Sequence, residues 1–384
     1  MKILLMNDCE EKAGGAEVYL YHLIELLKSR GHGISTYFSQ KKSGIRPIES
    51  IFSFRNLFSI LKKIKQENPD IIHIQKYNLS LSLSPLVAAK IAGKKTVVTL
   101  QDFGLISANS WCVDDKGIAC EKPSSIRWVF KKSKSEKKLL NKLYDYGKNV
   151  IHLRMLGMFA DVCVVPGTPL QEYLKEILPY KEVTTIPHFI PETYSFKKKA
   201  KKGFKLAFIG RLEKEKGVME LVKAMTLCDK KWKLSIIGDG SLYSYARGYI
   251  LKNKLQARVS LRGRLRKEKI EKEYHDADAV IMPCAWLELQ GMVGAEAFST
   301  GTPVVAPYMG GIADWLKDGY NGAEIKKIIP EEIKKAIERF DGMDITRLSA
   351  NARASYLKIF TPDAHYRKLM GAYSLARGAK GGAV

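Results

Sequence analysis

Short apolar, β-branched runs alternate with helix-like stretches along nearly the whole chain, and this alternation constrains the fold more than any other feature. In the first part of the chain the strand-like runs are residues 2–6, 34–38, 71–74 and 96–100. A helix with apolar residues along one face opens at Gly14-Gly15-Ala16-Glu17 and ends at Gly31. Strands separated by helices pair in parallel through right-handed crossovers, so the sequence predicts an α/β protein with a parallel sheet.

A second series of the same kind follows a break in the pattern. Residues 186–191 hold two prolines and residues 197–202 are mostly lysine, and neither stretch has a period, which is typical of a linker. Strand-like runs then recur at residues 204–209, 233–237, 259–261, 279–282 and 303–306. We therefore predict two Rossmann-like domains across a cleft, residues 1–190 and 191–361, and a last helix in residues 362–384 that crosses back to the first domain.

Composition narrows the class of partner. The 384 residues include 64 Lys and Arg against 40 Asp and Glu, a formal net charge of +24. Such a field favours anionic partners such as nucleotides or phospholipid head groups, although a solvated lysine surface explains the charge equally well. The sequence has neither the RNP-like aromatic pattern nor a zinc-finger spacing, so we do not expect nucleic-acid binding.

The sequence also predicts a cytoplasmic protein. No apolar run approaches the roughly 20 residues of a membrane-spanning helix, and the apolar start of the chain stops at Asn7-Asp8, as a strand and its loop would. Six scattered cysteines suit a reducing compartment. The closest pair, Cys112 and Cys120, matches no common zinc spacing, and we interpret it as structural thiols, with a redox or metal pair as the alternative.

Two carboxylates lie eight positions apart, at Glu288 and Glu296, with glycines between them and a strand-like run downstream. This order predicts Glu288 in a βα loop and Glu296 in the helix that follows it. Both would then face the carboxyl end of a parallel sheet, where open α/β sheets bind ligands. Carboxylates accept hydrogen bonds from sugar hydroxyls, and N–H groups at a helix start donate to phosphate. The pattern indicates a nucleotide-sugar site.

Two cations, Arg211 and Lys216, follow another strand-like run in a glycine-flanked loop. A forked Arg and a mobile Lys suit the oxygens of a pyrophosphate, and the glycine flanks favour this reading over a solvated charged loop. Gly14-Gly15 would also let an anion approach a helix start. An ordinary βα turn explains that glycine pair equally well.

Taken in order, these motifs resemble those of retaining glycosyltransferases of family 4, which have the GT-B architecture. The resemblance covers nearly the whole chain, and the ordered set is specific although no single motif is. In the second half it rests on Gly210-Arg211, Lys216-Gly217, Gly238-Asp239-Gly240, Glu288, Glu296, Gly301-Thr302-Pro303, Gly310-Gly311 and Asn321-Gly322. In the first half it rests on Gly14-Gly15, residues 70–73, residues 99–103 and Cys120-Glu121.

The resemblance implies a role for each matching position. Arg211 and Lys216 would hold the donor diphosphate. Glu296 would bind the ribose hydroxyls, and Glu288 those of the donor sugar. The implied donor site comprises Gly14, Gly15, Arg211, Lys216, Gly263, Arg264, Leu265, Glu288, Gly291, Met292, Val293 and Glu296, and the implied catalytic residues are Gln101, Asp102 and Glu288. No metal or other cofactor is expected, because cations and helix dipoles would stabilise the departing diphosphate.

Two positions depart from the family pattern. Gln101 stands where the family usually has His, and an amide can donate and accept hydrogen bonds but cannot take a charge. Gln101 therefore acts as a neutral orienting group, or activity is reduced. Gln290 stands where the family usually has Phe, which alters how the donor sugar is packed or selected.

The expected function is transfer of a hexose-type sugar from a nucleotide-diphosphate donor to a hydroxyl acceptor, in cell-envelope polysaccharide, lipopolysaccharide or glycolipid synthesis. Mixed aromatic and cationic helix-like segments at residues 125–132, 139–146 and 153–159 suit docking on an anionic membrane, although packing against the core explains most of their apolar positions. The alternatives are a GT-B epimerase or phosphorylase and a non-catalytic protein that binds a sugar-nucleotide.

Overall fold

The computed structural model describes residues 1–8, 10, 15–39, 47–106, 139–192, 195–196 and 203–378. These residues form two compact units. The N-terminal unit holds the described residues up to His188 together with those from His365 onward, and the C-terminal unit holds the described residues from Phe189 to Ala364. Each unit is an α/β layer structure around one parallel sheet, which confirms the predicted fold class.

The strands coincide closely with the β-branched runs of the sequence. They are β1 (Lys2–Asn7), β2 (Gly33–Phe38), β3 (Ile71–Lys76), β4 (Thr96–Thr99), β5 (Val162–Val165), β6 (Glu182–Thr185), β7 (Lys205–Ile209), β8 (Lys233–Ile237), β9 (Val259–Gly263), β10 (Ala279–Ile281), β11 (Val304–Ala306) and β12 (Gly322–Glu324). Three of them, β5, β6 and β12, have only three or four residues and were not among the predicted strands.

Helices separate most consecutive strands. They are α1 (Gly15–Ser29), α2 (Pro47–Ile51), α3 (Phe54–Glu67), α4 (Ser84–Ile91), α5 (Leu139–Phe159), α6 (Thr168–Ile177), α7 (Val218–Leu227), α8 (Tyr243–Lys252), α9 (Lys267–Asp276), α10 (Met292–Ser299), α11 (Pro330–Asp341), α12 (Ile345–Ile359) and α13 (Pro362–Ala376). The segments 139–146 and 153–159, separate in the sequence pattern, belong to the single helix α5.

The N-terminal sheet has the order β2-β1-β3-β4-β5-β6, with every pair parallel. Helix α3 shows how local sequence builds this unit. Ser53 caps its first turn by accepting a hydrogen bond from the Asn56 N–H at 3.3 Å, and Leu57, Ile60 and Ile64 form the buried stripe that the helical period requires.

Helix α13 contributes to the N-terminal unit. Its His365 Nδ1 lies 2.8 Å from the carbonyl oxygen of Pro187, and its Tyr373 hydroxyl lies 2.7 Å from Nδ1 of His73 on β3. These side chains are buried. These contacts pair the buried polar atoms of His365, Tyr373 and His73 and hold α13 against this unit.

The C-terminal sheet has the order β12-β11-β10-β7-β8-β9, again with every pair parallel. Two apolar clusters cover its faces. One includes Val222, Trp232 and Phe340, and the other includes Phe298, Trp315 and Tyr356. The side chains of β7 divide between these clusters by alternation, as expected for a strand with both faces buried.

Candidate functional site

Strands β7 and β10 are neighbours in the C-terminal sheet, and the chain leaves them toward opposite edges. Open α/β sheets bind ligands outside the carboxyl ends of the strands at such a switch point. The loop after β7 carries Arg211 and Lys216, and the loop after β10 carries Glu288 and leads into α10. The topology therefore brings the predicted cations and the predicted carboxylate to one edge of the sheet.

The two loops pack backbone against backbone. The Ala285 N–H donates to the carbonyl oxygen of Glu215 at 2.9 Å. Gly217 follows the single turn Lys214–Lys216 with a φ of 66°, and a Cβ there would overlap the carbonyl oxygen of Pro283. A glycine is needed at this position for both its conformation and its close approach. Lys216 is thereby held beside the β10 loop.

Lys216, Trp286 and Glu288 form a compact charged group. The Lys216 ammonium is ion-paired with Oε1 of Glu288 and lies 4.6 Å from the centre of the Trp286 ring. The indole Nε1–H donates to the same carboxylate oxygen at 3.1 Å. Burial alone would lower the pKa of Lys216, but the adjacent Glu288 carboxylate outweighs it and the pKa is raised. The lysine is therefore a fixed cation.

Arg211 is the more exposed of the two cations, with 54% of its side chain accessible. Its Nη2 lies 3.2 Å from Oε1 of Glu215. Neighbouring Glu213 accepts hydrogen bonds from the side chain and backbone of Ser241, and these contacts lower its pKa. The loop thus carries ordered carboxylates that keep Arg211 near the end of β7.

Helix α10 begins beside this charged group. Gly291, with a φ of 76°, precedes Met292 and Val293, and no side chain caps the helix. The Trp315 indole donates to the Gln290 carbonyl oxygen at 2.6 Å and holds the entry to the helix, while Gln290 itself is buried. The Gly311 N–H donates to the Glu288 carbonyl oxygen at 2.6 Å. An uncapped helix start presents N–H groups suited to an anion.

Glu296 lies on α10, as predicted, on the same face as Met292 and Val293. Its Oε2 accepts a hydrogen bond from the Tyr274 hydroxyl at 2.6 Å. Burial raises the pKa of Glu296, while Tyr274 and Lys267 oppose that shift. The carboxyl group is therefore fixed in orientation and partly desolvated.

The loop predicted to grip the base follows β9. Gly263 has a φ of 65°, and its carbonyl oxygen accepts from the Gly238 N–H at 2.8 Å. Arg264 is 84% exposed, with Nε 3.7 Å from Oδ2 of Asp239, and Leu265 packs at the margin of the core. A groove on the β7-β8-β9 face of the sheet includes Leu265 but none of the other predicted site residues.

The remaining predicted residues belong to the N-terminal unit. Gly15 is the first residue of α1, and Gly14 lies outside the described residues. Gln101 follows β4 and donates through Nε2 to Oε1 of Gln75 at 2.7 Å. Oδ1 of Asp102 accepts from the Gly104 N–H at 2.7 Å, and its Oδ2 lies 3.9 Å from Lys76.

Sequence reasoning missed three polar contributors to these sites: Trp286, Tyr274 and Gln75. Trp286 is two residues before Glu288, a spacing that a search for side chains near a predicted carboxylate would have found. Tyr274 comes from α9 and reaches Glu296 across 22 positions, so no local pattern indicates it. Gln75 lies on β3, one residue beyond the predicted run 71–74, and its alternation with His73 on one face was the available signal.

In the part of the chain that the structure describes, no helix has the length and apolar character to cross a membrane. The same described residues hold no group of three or more His, Cys, Asp or Glu side chains placed to bind a metal ion.

Two family models match adjoining parts of the chain. Glycosyltransferase Family 4 matches residues 13–194, and Glycosyl transferases group 1 matches residues 191–354. HepE of Anabaena, solved in complex with UDP, superposes with a TM-score of 0.69 at 18% identity, covering 96% of this chain and 98% of that one. The fold and the matched segments define a GT-B glycosyltransferase. The chain belongs to glycosyltransferase family 4.

Two curated relatives match over shorter segments of the chain. An uncharacterized glycosyltransferase of Methanocaldococcus jannaschii is 32% identical over 136 residues, 34% of this chain and 36% of that protein. The lipopolysaccharide 1,2-N-acetylglucosaminetransferase of Salmonella typhimurium is 27% identical over 179 residues, 41% of this chain and 47% of that protein. The chain thus matches less than half of the length of these two relatives.

Proposed function

We propose that this protein is a retaining glycosyltransferase that moves a hexose-type sugar from a nucleotide-diphosphate donor to a hydroxyl acceptor. The observation that carries this proposal is the Lys216–Glu288 ion pair at the switch point of the C-terminal sheet. At this point a cation suited to a diphosphate lies next to a carboxylate suited to sugar hydroxyls. The UDP bound to HepE supports uridine diphosphate as the first nucleotide to test.

In this proposal the diphosphate binds between the β7 loop and the start of α10. Arg211 turns from Glu215 toward the phosphate oxygens, which its exposure allows. When the diphosphate binds, only the ammonium group of Lys216 has to move to reach the phosphate oxygens. The N–H groups of Gly291, Met292 and Val293 add the positive end of the helix dipole. These groups together neutralise charge that develops on the leaving diphosphate.

Binding of the diphosphate also prepares Glu288. Once a phosphate oxygen competes for Lys216, the carboxylate loses its ion-pair partner and becomes available to hydroxyls of the donor sugar. The Trp286 indole keeps its hydrogen bond to Oε1 and so holds the carboxylate in place during this exchange. Glu296, fixed by Tyr274, accepts from the ribose hydroxyls. Gly263, Arg264 and Leu265 then border the base.

The chemical step is a front-face substitution. The bond between the anomeric carbon and the diphosphate oxygen breaks, and the acceptor oxygen bonds to the same face of the sugar. The acceptor proton passes to the leaving diphosphate, so no protein base is needed and the anomeric configuration is retained. Gln101 and Asp102 are the proposed contributors from the N-terminal unit.

A cell-envelope acceptor is part of the same proposal: a polysaccharide, a lipopolysaccharide or a glycolipid, met at the cytoplasmic face of the membrane. The lipopolysaccharide transferase of Salmonella supports this class. The net charge of +24 supports attraction to an anionic surface.

A thermal-shift screen against a panel of nucleotide-sugars, followed by a transfer assay, tests the function. A ligand present at 100 times its Kd should stabilise the fold by about 2.7 kcal/mol. Arg211→Ala and Glu296→Ala should lose transfer while retaining the fold, and wild-type turnover by both would show that the site is wrong. Incubation of the donor without acceptor separates the alternatives, because an epimerase would convert the donor alone.

A further inference from the structure

A groove of about 630 Å³ lies within the C-terminal unit, on one face of strands β7, β8 and β9 and beside helix α9. It begins at the amino ends of β7 and β8, near Lys205 and Lys233, and reaches Leu265 beyond the carboxyl end of β9. Leu265 is the one described residue that it shares with the predicted donor site. A groove of this volume is typical of sites that bind small molecules.

Short side chains form the floor of the groove. Leu206 and Leu234 belong to the apolar cluster on the opposite face of the sheet. By alternation their neighbours Ala207 and Ser235 face the groove, as does Ser260, whose Oγ lies 3.4 Å from that of Ser235. Because these side chains are short, a ligand can approach the sheet closely, and the two hydroxyls can turn to donate hydrogen bonds to it.

Lysines stand around this floor. Lys205 and Lys233 begin β7 and β8 with their Cα atoms in register, so they lie side by side on neighbouring strands. Lys269 and Lys272 lie about one turn apart on α9. All four are exposed, and no ion pair joins any of them to a carboxylate of the described residues. A bound anion would offset the repulsion between these charges.

Two arginines and two carboxylates complete the charged lining. Nε of Arg262 lies 3.5 Å from Oε1 of Glu273, and Nη1 of Arg258 donates to two backbone carbonyl oxygens. The second carboxylate belongs to Asp276, at the end of α9. Among the described lining residues, basic side chains therefore outnumber acidic ones by six to two. A groove lined mainly by one sign of charge concentrates small ions of the opposite sign.

The lining also indicates which kind of anion fits. Its described residues include no Phe, Tyr or Trp, so they offer no ring for stacking on a base or a sugar. Lysines bind phosphate as point charges, and serine hydroxyls donate to phosphate oxygens. We propose that this groove binds a small soluble molecule that carries two or more phosphate groups, at a site separate from that of the sugar donor.

Calorimetric titration with inorganic tripolyphosphate tests the site. Excess UDP occupies the proposed donor site, and salt at about 0.15 M screens the diffuse field of a basic protein. Wild type should bind one tripolyphosphate. The pair Lys205→Gln and Lys233→Gln should weaken binding roughly tenfold or more, because two groove cations are lost. The pair Lys230→Gln and Lys252→Gln removes the same charge from exposed positions outside the groove and should leave binding unchanged.

Ser260→Leu separates a built site from attraction to a charged surface. Ser260 is exposed on β9, the last strand of the sheet, so the fold should accept leucine there, and a melting curve checks this. The larger side chain fills the groove without changing the charge. Tripolyphosphate should then bind roughly tenfold more weakly, although every cation is still present.

Four outcomes overturn the proposal. Wild type that binds no tripolyphosphate in this salt has no such site. Equal losses in the two lysine pairs would show a response to net charge alone, and unchanged binding in Ser260→Leu would place the anion elsewhere. Citrate that binds as tightly as tripolyphosphate would show a site for anions in general. Failure of UDP to bind would instead contradict the proposed donor site, while the comparison of the two lysine pairs would still decide the groove.

Discussion

The two units hold their candidate residues in opposite ways. In the C-terminal unit the groups are basic and acidic side chains, and short motifs carry them: Arg211 and Lys216 lie in one loop, and Glu288 and Glu296 lie eight positions apart. In the N-terminal unit Asp102 faces Lys76, whereas His73, Gln75 and Gln101 are uncharged and pair with groups far away in sequence, with His73 hydrogen-bonded to Tyr373 across 300 residues. The proposed diphosphate site in the C-terminal unit is therefore held by charged side chains, whereas the polar side chains around Gln101 are held mainly by hydrogen bonds between neutral groups.

We expect a fall in pH to destabilise the N-terminal unit before the C-terminal unit, and this is the largest effect among the predictions. Burial lowers the pKa of His73 and of His188 to about 3, and that of His365 to about 4. Between these values and the unfolded pKa of about 6.5 the unfolded state binds more protons, so stability rises with pH and is lost as pH falls. Each histidine should remove about 2 kcal/mol at pH 5.

Denaturant unfolding at pH 7 and pH 5 measures that loss. His73→Gln should destabilise the protein less at pH 5 than at pH 7, because the variant no longer has a buried ring to protonate. Equal losses at both pH values would mean that His73 does not stay neutral, and the contrast between the two units would fail.

Lys216→Ala tests the charged side chains of the C-terminal unit, which are proposed to bind the diphosphate. Loss of a cation that stabilises a leaving group lowers kcat by about 10²- to 10³-fold, and here Glu288 also loses its ion-pair partner. Lys214→Ala is the matched control, since Lys214 is an exposed lysine of the same turn. Steady-state kinetics should separate the two variants, and similar rates for both would remove Lys216 from the diphosphate site.

Gly311→Ala tests whether the backbone around Glu288 is closely packed against residues 310–311. A Cβ at residue 311 would overlap the carbonyl oxygen of Leu289, so the loop must shift, at an expected loss of about 2–3 kcal/mol in the free energy of unfolding. Gly371→Ala, in α13, meets nothing within 4 Å and should be neutral or slightly stabilising. Equal denaturation midpoints for the two variants would contradict the close packing.

The difference between residues in short motifs and residues brought together from distant positions explains what could be predicted from the sequence. Parallel sheets follow from β-branched runs between helical periods, and the loop position of Glu288 and the helical position of Glu296 follow from the glycines between them, so these predictions are confirmed. The strands that were not predicted, β5, β6 and β12, have only three or four residues, which is too few to show a period. The partners of Glu296 and Gln101 come from other elements, and only the tertiary fold brings Tyr274 and Gln75 to them.

Glu296→Gln should give the smallest change of these variants. It separates a binding role of Glu296 from a structural one, because it should raise the stability of the fold and lower the affinity for the nucleotide. The raised pKa means that the folded state binds more protons than the unfolded one above the usual pKa of Glu, so stability falls as pH rises through that range. A neutral amide removes this pH dependence and should raise the melting temperature at pH 7.

The affinity of the same variant for the nucleotide should fall about tenfold, since a charged hydrogen-bond acceptor for the ribose is lost. Calorimetric titration with UDP and a melting curve measure both effects on one sample, with Tyr274→Phe as the variant that perturbs the same carboxyl group without removing it. A Gln variant that loses affinity and stability together would mean that Glu296 serves the fold, and the C-terminal unit would then hold its charges for structure, as the N-terminal unit holds its histidines.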